Sequence, residues 1–398
     1  MKIDLFLSKP GVMSCAGNNI EELWKAVTEG NQTGIKKVTV CTGEEFFAAR
    51  IADSVLKASS ARYDMRVMRI EEAALEQISD EVNAVIGRYG ADRVAACVGS
   101  CDNGTEFSLA AHRKYLETGS FPADYSLEVQ GADYAATFVA EKFGLKGPCA
   151  TFSTACSSSA GAIIKGAEMI MAGIVDAAVV GGIDIASDTT LVGFNALEAV
   201  SSGITNPFSK NRNGITIGDG AAFFVLTREN LFNSEVKLLG WGESSDAYHM
   251  TSPDPSGAGA EKAIRRALES AELSVSDVGY INMHGTGTKF NDSMEAKAIA
   301  AIFGQGRDSV PVSTTKAVTG HTLGAAASLE LALCWAALNK KQSLPAQIWD
   351  GQQDPELPVL NIIDKNTNLA LQGGKNLKAC ISNSFAFGGA NACLAVGL

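Results

Sequence analysis

The sequence predicts an α/β fold, a buried sheet covered on both faces by helices, and three features predict it. Short apolar or β-branched runs end in Gly, Ser or Asn, helical-period segments alternate with them, and forty glycines supply tight turns. The runs Arg93–Val98, Ala177–Ile185, Ala221–Leu226, Val278–Met283 and Lys378–Ser382 read as strands. Continuous apolar stretches of this length suit a parallel sheet buried on both sides. Glu261–Ala271 sets Ile264, Ala267, Leu268 and Ala271 at i, i+3, i+4 and i+7, which is one buried helical face. Helices alternating with strands imply crossover connections.

A weak internal echo predicts two related halves. A small-residue segment opens a long apolar helix at Thr154–Gly173 and again at Thr319–Leu338. Each is followed by a glycine turn and an apolar strand: Gly218-Asp219-Gly220 before Ala221–Leu226, and Gly388-Gly389 before Ala390–Val396. The junction is expected near Asn233–Glu235, giving halves 1–234 and 235–398. Chance likeness between α/β units of similar composition is the competing explanation.

An apolar fraction of 46% against 19% charged residues requires a packed chain, and no low-complexity run suggests a linker. The formal charge of −11 and the lack of a Lys/Arg block disfavour nucleic acid or anionic lipid as partners. Nine scattered cysteines form no paired CxxC units, so no metal site is expected, and buried reduced thiols are the plainer reading. With no secretory leader in view, a reducing cytoplasm is expected. The apolar stretch 160–187 is broken by Lys165, Glu168, Asp176 and Asp184, so it reads as a core helix and strand, not a membrane span.

The chemistry centres on Ser153-Thr154-Ala155-Cys156-Ser157-Ser158-Ser159-Ala160-Gly161, which leads into the helical pattern Ala162–Met171. A cysteine at a helix start meets free N–H groups and the positive dipole end, which favours thiolate. A packed structural cysteine is the equal alternative on this segment alone. The chain has four histidines. His284 ends an apolar strand before Gly285-Thr286-Gly287-Thr288, and His321 lies where Lys316–Gly320 becomes a helix. Such positions are where α/β proteins build sites. His112 and His249 sit in polar stretches and read as surface residues. A thiol with two imidazoles suits acyl transfer through a thioester and an enolate. A Cys-His hydrolase, needing one histidine and an orienting Asn or Asp, remains open.

Taken in order, these motifs resemble the β-ketoacyl-acyl-carrier-protein synthases of the thiolase superfamily over nearly the whole chain. The likeness rests on Thr154–Ser159, on Asn206-Pro207-Phe208 with Gly218–Ala221, and on His284–Thr288 with Asp292 and Glu295. It extends to Lys316 five residues before His321, and to Asn383-Ser384-Phe385-Ala386-Phe387-Gly388-Gly389-Ala390-Asn391. The resemblance implies a thiolase-like fold of two α/β halves in a layered αβαβα core. It implies decarboxylative Claisen condensation, with Cys156 accepting an acyl group and His284 and His321 activating a malonyl extender. Lys316 paired with Glu295 would orient the histidines, with Asp292 in the same charge network. Backbone N–H groups of Cys156 and Phe387 would form an oxyanion hole, Phe387 would gate the site, and Phe385 would line it. Thr286 and Thr288 would hold the phosphopantetheine arm, which arrives on the carrier, so the enzyme itself binds no cofactor. The Cys-His-His set points to elongation; starter enzymes of the family use Cys-His-Asn, and thiolases a second cysteine, for which only Cys380 and Cys393 lie near the last motif.

Simpler roles compete for some of these residues. Asp292 and Glu295 also read as a cap with an acidic first turn before Ala296–Phe303, Phe385 and Phe387 as core aromatics, and Thr286 and Thr288 as turn residues. Cys97–Gly104 departs from the apolar turn of fatty-acid relatives, and Asp102 or Asn103 is expected either to face a polar or unsaturated acyl end, as in polyene or polyketide synthesis, or to cap the next helix. The expected partners are an acyl carrier protein and a second subunit, identical or of the related chain-length-factor kind. Candidate basic contacts for the carrier are Arg62, Arg66 and Arg69, His112-Arg113-Lys114, and Lys210 with Arg212.

Overall fold

The computed structural model describes residues 3–398 except 103, 132, 341–342 and 365–376. Strands β1 (Phe6–Leu7) and β2 (Gly11–Ser14) precede helix α1 (Ile20–Glu29) and a separate hairpin of β3 (Lys36–Thr39) and β4 (Glu45–Ala48). Helices α2 (Arg66–Glu76) and α3 (Ser79–Tyr89) lead to β5 (Val94–Gly99), α4 (Thr105–Thr118), α5 (Tyr134–Phe143) and β6 (Cys149–Phe152). Then come α6 (Ser158–Met171), β7 (Ala177–Asp184), α7 (Asp188–Ala196) and β8 (Gly220–Thr227). The second half runs β9 (Lys237–Ser245), α8 (Ala258–Ala271), β10 (Val278–Asn282), α9 (Lys289–Phe303), β11 (Pro311–Ser313) and α10 (Lys316–Thr319). It ends with α11 (Ala326–Lys340), β12 (Asn361–Ile362), β13 (Ala379–Phe385) and β14 (Ala390–Gly397).

The strands join in the order β12-β11-β10-β13-β14-β9-β1-β8-β7-β5-β6, with β2 also on β8. One pattern appears on each side of β1. On one side β6, β5 and β7 are parallel, β8 is antiparallel to β7, and β2 is antiparallel to β8. On the other, β11, β10 and β13 are parallel, β14 is antiparallel to β13, and β9 is antiparallel to β14. The echo in the sequence is therefore a repeat of topology. The expectation of a purely parallel sheet fails at β8 and β14. Their unbroken apolar runs reflect burial on both faces, and burial does not encode strand direction.

That double burial separates the layers. Along β8, Ala222, Phe224 and Leu226 pack with α6 and α11 in the centre, while Ala221, Phe223 and Val225 pack with α2, α3 and α5 outside. Along β14, Leu394 and Val396 face the centre, while Cys393 and Ala395 pack with α8 and α9. This period-2 alternation yields helix, sheet, central helices, sheet, helix. Each fully buried Phe or Leu in these clusters contributes about 1.5–3 kcal/mol relative to exposure. The central helices lie close to the strands that carry the site. A Cβ on Gly99 at the end of β5 would meet the Ser159 nitrogen at 2.2 Å, so only glycine lets that strand touch the start of α6.

Candidate active site

Cys156 sits in a single 3₁₀ turn, Ala155–Ser157, just ahead of α6. Ala155 adopts φ 51°, a left-handed backbone that costs an L-residue of order 1–2 kcal/mol. Ser158 holds the turn: its hydroxyl donates to the Ala155 carbonyl at 2.6 Å and accepts from the Thr154 N–H at 2.9 Å. The sequence pointed to a thiolate favoured by the helix start. Instead burial pushes the thiol up to about 12, with Asp184 and Glu330 adding to the shift against Lys316 and the Phe387 N–H. Burial in this turn keeps Cys156 as a thiol at rest.

His321 Nε2 lies 3.0 Å from Cys156 Sγ. The His284 ring meets the His321 ring edge-on at 5.2 Å, and Phe385 packs edge-on to His284 at 6.2 Å. One ligating atom each from Cys156, His284 and His321 lies within 4.8 Å of the other two. Burial, then the Lys316 charge, holds both imidazoles well below the usual histidine range, so both are neutral near pH 7. Neutral imidazoles can each donate one hydrogen bond and accept one.

Lys316 is fully buried, and its ammonium donates to the His284 carbonyl and to Glu330, not to Glu295. The expected Lys316–Glu295 pair is thus corrected. Glu295 instead accepts from the backbone N–H groups of His284 at 2.8 Å and Gly285 at 2.7 Å, and from Asn383 at 3.2 Å. Asp292 likewise accepts from Phe208 N–H at 2.8 Å and Gly287 N–H at 3.1 Å. Neither acid is the helix cap: α9 begins at Lys289 with Thr288 as N-cap, so both point back from inside the helix to the His284 loop. Sequence reasoning missed Glu330, although a lone acid in the apolar run Ala326–Leu338 was a visible signal.

Two cavities, each of about 460 Å³, meet at Cys156. The first holds Cys156, His284, His321, Thr286, Thr288 and Phe385 in one wall, bringing those predicted residues together. Phe194, Leu197 and Phe387 line both cavities with Cys156, and the Phe194 and Phe387 rings stack at 5.8 Å as a partition. Gly388, at φ 83°, turns the chain directly after Phe387. Phe194 and Leu197 left no sequence signal, since their helix is too short to show a period.

The second cavity is lined by Cys101, Asp102 and Asp184 among others. Asp102 accepts from Gly104 N–H at 2.7 Å and Thr105 Oγ1 at 2.8 Å, so its carboxylate is engaged by the start of α4 even though it borders the cavity. Asn103 lies outside the described residues. Asp184, also missed, accepts from Cys101 N–H at 3.0 Å, Asp102 N–H at 2.8 Å and Gly324 N–H at 2.5 Å. It ties the β5 loop to the start of α11, and burial raises it to about 7.

Other expectations resolve differently. Arg66 is half-buried and paired with Asp53 and Asp219, and Arg212 is buried against Asp354, so both are already engaged by acids and neither is a free rim cation. Arg62 pairs with Glu128 and Arg69 with Asp64, while Lys210, Arg113 and Lys114 are exposed. His112 and His249 are exposed as expected. Cys380 and Cys393 are fully buried in β13 and β14 and line neither cavity, which removes the second cysteine a thiolase would need. Among the described residues no helix is long and apolar enough to cross a membrane.

Comparison with known proteins agrees with this geometry. Residues 11–231 match "Beta-ketoacyl synthase, N-terminal domain" and 236–348 match "Beta-ketoacyl synthase, C-terminal domain". The chain is 32% identical to 3-oxoacyl-[acyl-carrier-protein] synthase 2 of Vibrio harveyi, covering 96% of each chain. It is 29% identical to the synthase of the same name from Staphylococcus aureus (strain MRSA252), covering 98% of this chain and 97% of that one. Among solved structures it superposes on the ketosynthase ApeO, in complex with its chain length factor ApeC, from Xenorhabdus doucetiae. The TM-score is 0.90 at 37% identity, covering 100% of this chain and 98% of that one. A buried thiol facing two neutral imidazoles, on a fold built twice over, belongs to a chain of the β-ketoacyl synthase family.

Proposed function

We propose that this chain condenses a Cys156-bound acyl group with malonyl-acyl carrier protein, lengthening the chain by two carbons. The observation that carries the reading is Cys156 Sγ, 3.0 Å from His321 Nε2, at the meeting point of two cavities. One cavity suits the carrier's phosphopantetheine arm beside Thr286 and Thr288; the other suits the growing acyl chain. The thiol gives its proton to His321 as sulfur attacks the primer thioester, and the carrier thiol leaves with that proton. The malonyl thioester then loses carbon dioxide, and the enolate oxygen takes N–H bonds from His284 and His321. The enolate carbon attacks the acyl-Cys156 carbonyl, whose oxyanion accepts from the Cys156 and Phe387 N–H groups, and the sulfur leaves.

Burial, with the Lys316 charge, keeps both imidazoles neutral and donor-capable; Glu295 and Asp292 hold the His284 loop. The Phe387 ring, stacked on Phe194, opens to admit the extender. Asp102 borders the acyl chain while its carboxylate accepts from Gly104 N–H and the Thr105 hydroxyl. The enzyme needs no cofactor of its own, works in a reducing cytoplasm, and pairs with a second subunit, identical or of the chain-length-factor kind, in a fatty-acid, polyene or polyketide pathway. Intact mass after incubation with acyl carrier protein tests the reading: an acyl adduct on Cys156 that malonyl carrier discharges with carbon dioxide release is expected. No adduct, with any natural partner subunit present, overturns it.

A further inference from the structure

We propose that Cys156, His284 and His321 form a binding site for a thiophilic divalent cation of the zinc class in the deacylated enzyme, and that the bound cation reversibly blocks the nucleophile. The donor set is one thiol and two imidazoles, the types such cations prefer, with a cavity beside them for a fourth ligand. The distances suit it. In a tetrahedral centre with metal–sulfur near 2.3 Å and metal–nitrogen near 2.0–2.1 Å, donors stand about 3.3–3.6 Å apart. Here Sγ and His321 Nε2 are 3.0 Å apart, and all three ligating atoms lie within 4.8 Å, so side-chain rotations of about an ångström close the site. Among the described residues no other trio of His, Cys, Asp or Glu atoms is grouped this way. The spacing of 156, 284 and 321 along the chain forms no motif, which is why cysteine arithmetic missed it.

The positive charge nearest the imidazoles is already paired. Among the described residues Lys316 is the buried cation whose charge acts on the imidazoles, and Glu330 already pairs with it. Binding displaces the thiol proton to solvent and forms metal–sulfur and metal–nitrogen bonds; no electron is transferred. A thioester sulfur is a poor ligand, so acylation and metal exclude one another, and the block acts between turnovers.

Cobalt(II) is the probe, added to the full chain under argon with a non-thiol reductant. One equivalent is expected to bind with a thiolate-to-cobalt charge-transfer band, and zinc is expected to displace it. Cys156→Ser should abolish the band, and His284→Ala or His321→Ala should weaken binding about tenfold or more. Wild-type chain alkylated at Cys156 should also lose the band, which keeps the test sound if a variant misfolds. No band, or a band unchanged by alkylation or by both histidine variants, overturns the site. A chain that loads acyl groups yet shows no band loses only the metal site, whereas the band without acyl loading leaves the metal site standing and removes the condensing role.

Discussion

The two central helices are approached by the same backbone device and put it to different uses. Before α6, Ala155 takes φ 51° and a 3₁₀ turn spans Ala155–Ser157; before α11, Leu323 takes φ 51° and a 3₁₀ turn spans Leu323–Ala325. Counting from those left-handed residues, Cys156 in the first half stands where the second has Gly324. Glu330, the partner of Lys316, stands where α6 has Ala162. One turn presents a thiol into the cavity; the other presents only a backbone N–H, which Asp184 accepts. The repeated scaffold sets the backbone, and divergence at two or three side chains places the Cys156 thiol on one turn and a bare backbone N–H on the other.

Removing the side chain that distinguishes the first turn should have the largest effect. Cys156→Ala is expected to abolish acyl loading and lower condensation by roughly 10³-fold or more, with the melting temperature little changed. Retained loading by intact mass would place the nucleophile elsewhere. On the second side, Lys316→Ala leaves Glu330 buried without its partner and should cost about 3–5 kcal/mol in urea unfolding. The double variant Lys316→Ala with Glu330→Ala should recover part of that; a single-variant cost below about 1 kcal/mol would mean the pair is solvated.

Asp184, which links the β5 loop to the second turn, sharpens the comparison through pH. Burial raises its folded value to about 7, so the folded chain keeps a proton that the unfolded chain releases from about pH 4 upward. Its contribution is fully present below about pH 4 and is lost as pH rises to about 7, by at most about 4 kcal/mol. Asp184→Asn should therefore lose stability less steeply than wild type across that window, read from denaturant midpoints at pH 4 to 7.5. Equal slopes would exclude Asp184 as a titrating group. The smallest effect is expected from Gly324→Ala. The new Cβ would meet Asp184 Oδ2 at 2.5 Å, and relief should cost about 1–3 kcal/mol, with acyl loading at Cys156 retained. Loss of loading would show that the two turns are coupled more tightly than their separate hydrogen bonds suggest.

The sequence by itself determined the α/β class and singled out Cys156, His284 and His321, because each leaves a local mark. Buried strands are continuous apolar runs, and site residues follow strand ends or small-residue turns such as Thr154–Ser159 and Gly285–Thr288. Tertiary structure decided everything that depends on which segments meet. It gave Lys316 to Glu330 across the start of α11, turned Glu295 to backbone N–H groups, paired Arg66 and Arg212 with acids, and ran β8 and β14 antiparallel. It also set the state of Cys156. Composition placed a cysteine beside a helix start, but only packing decided that burial outweighs the nearby Lys316 charge and leaves a thiol waiting on His321. Charge pairing and desolvation act through space between residues far apart in the chain, and a one-dimensional pattern carries no record of that distance.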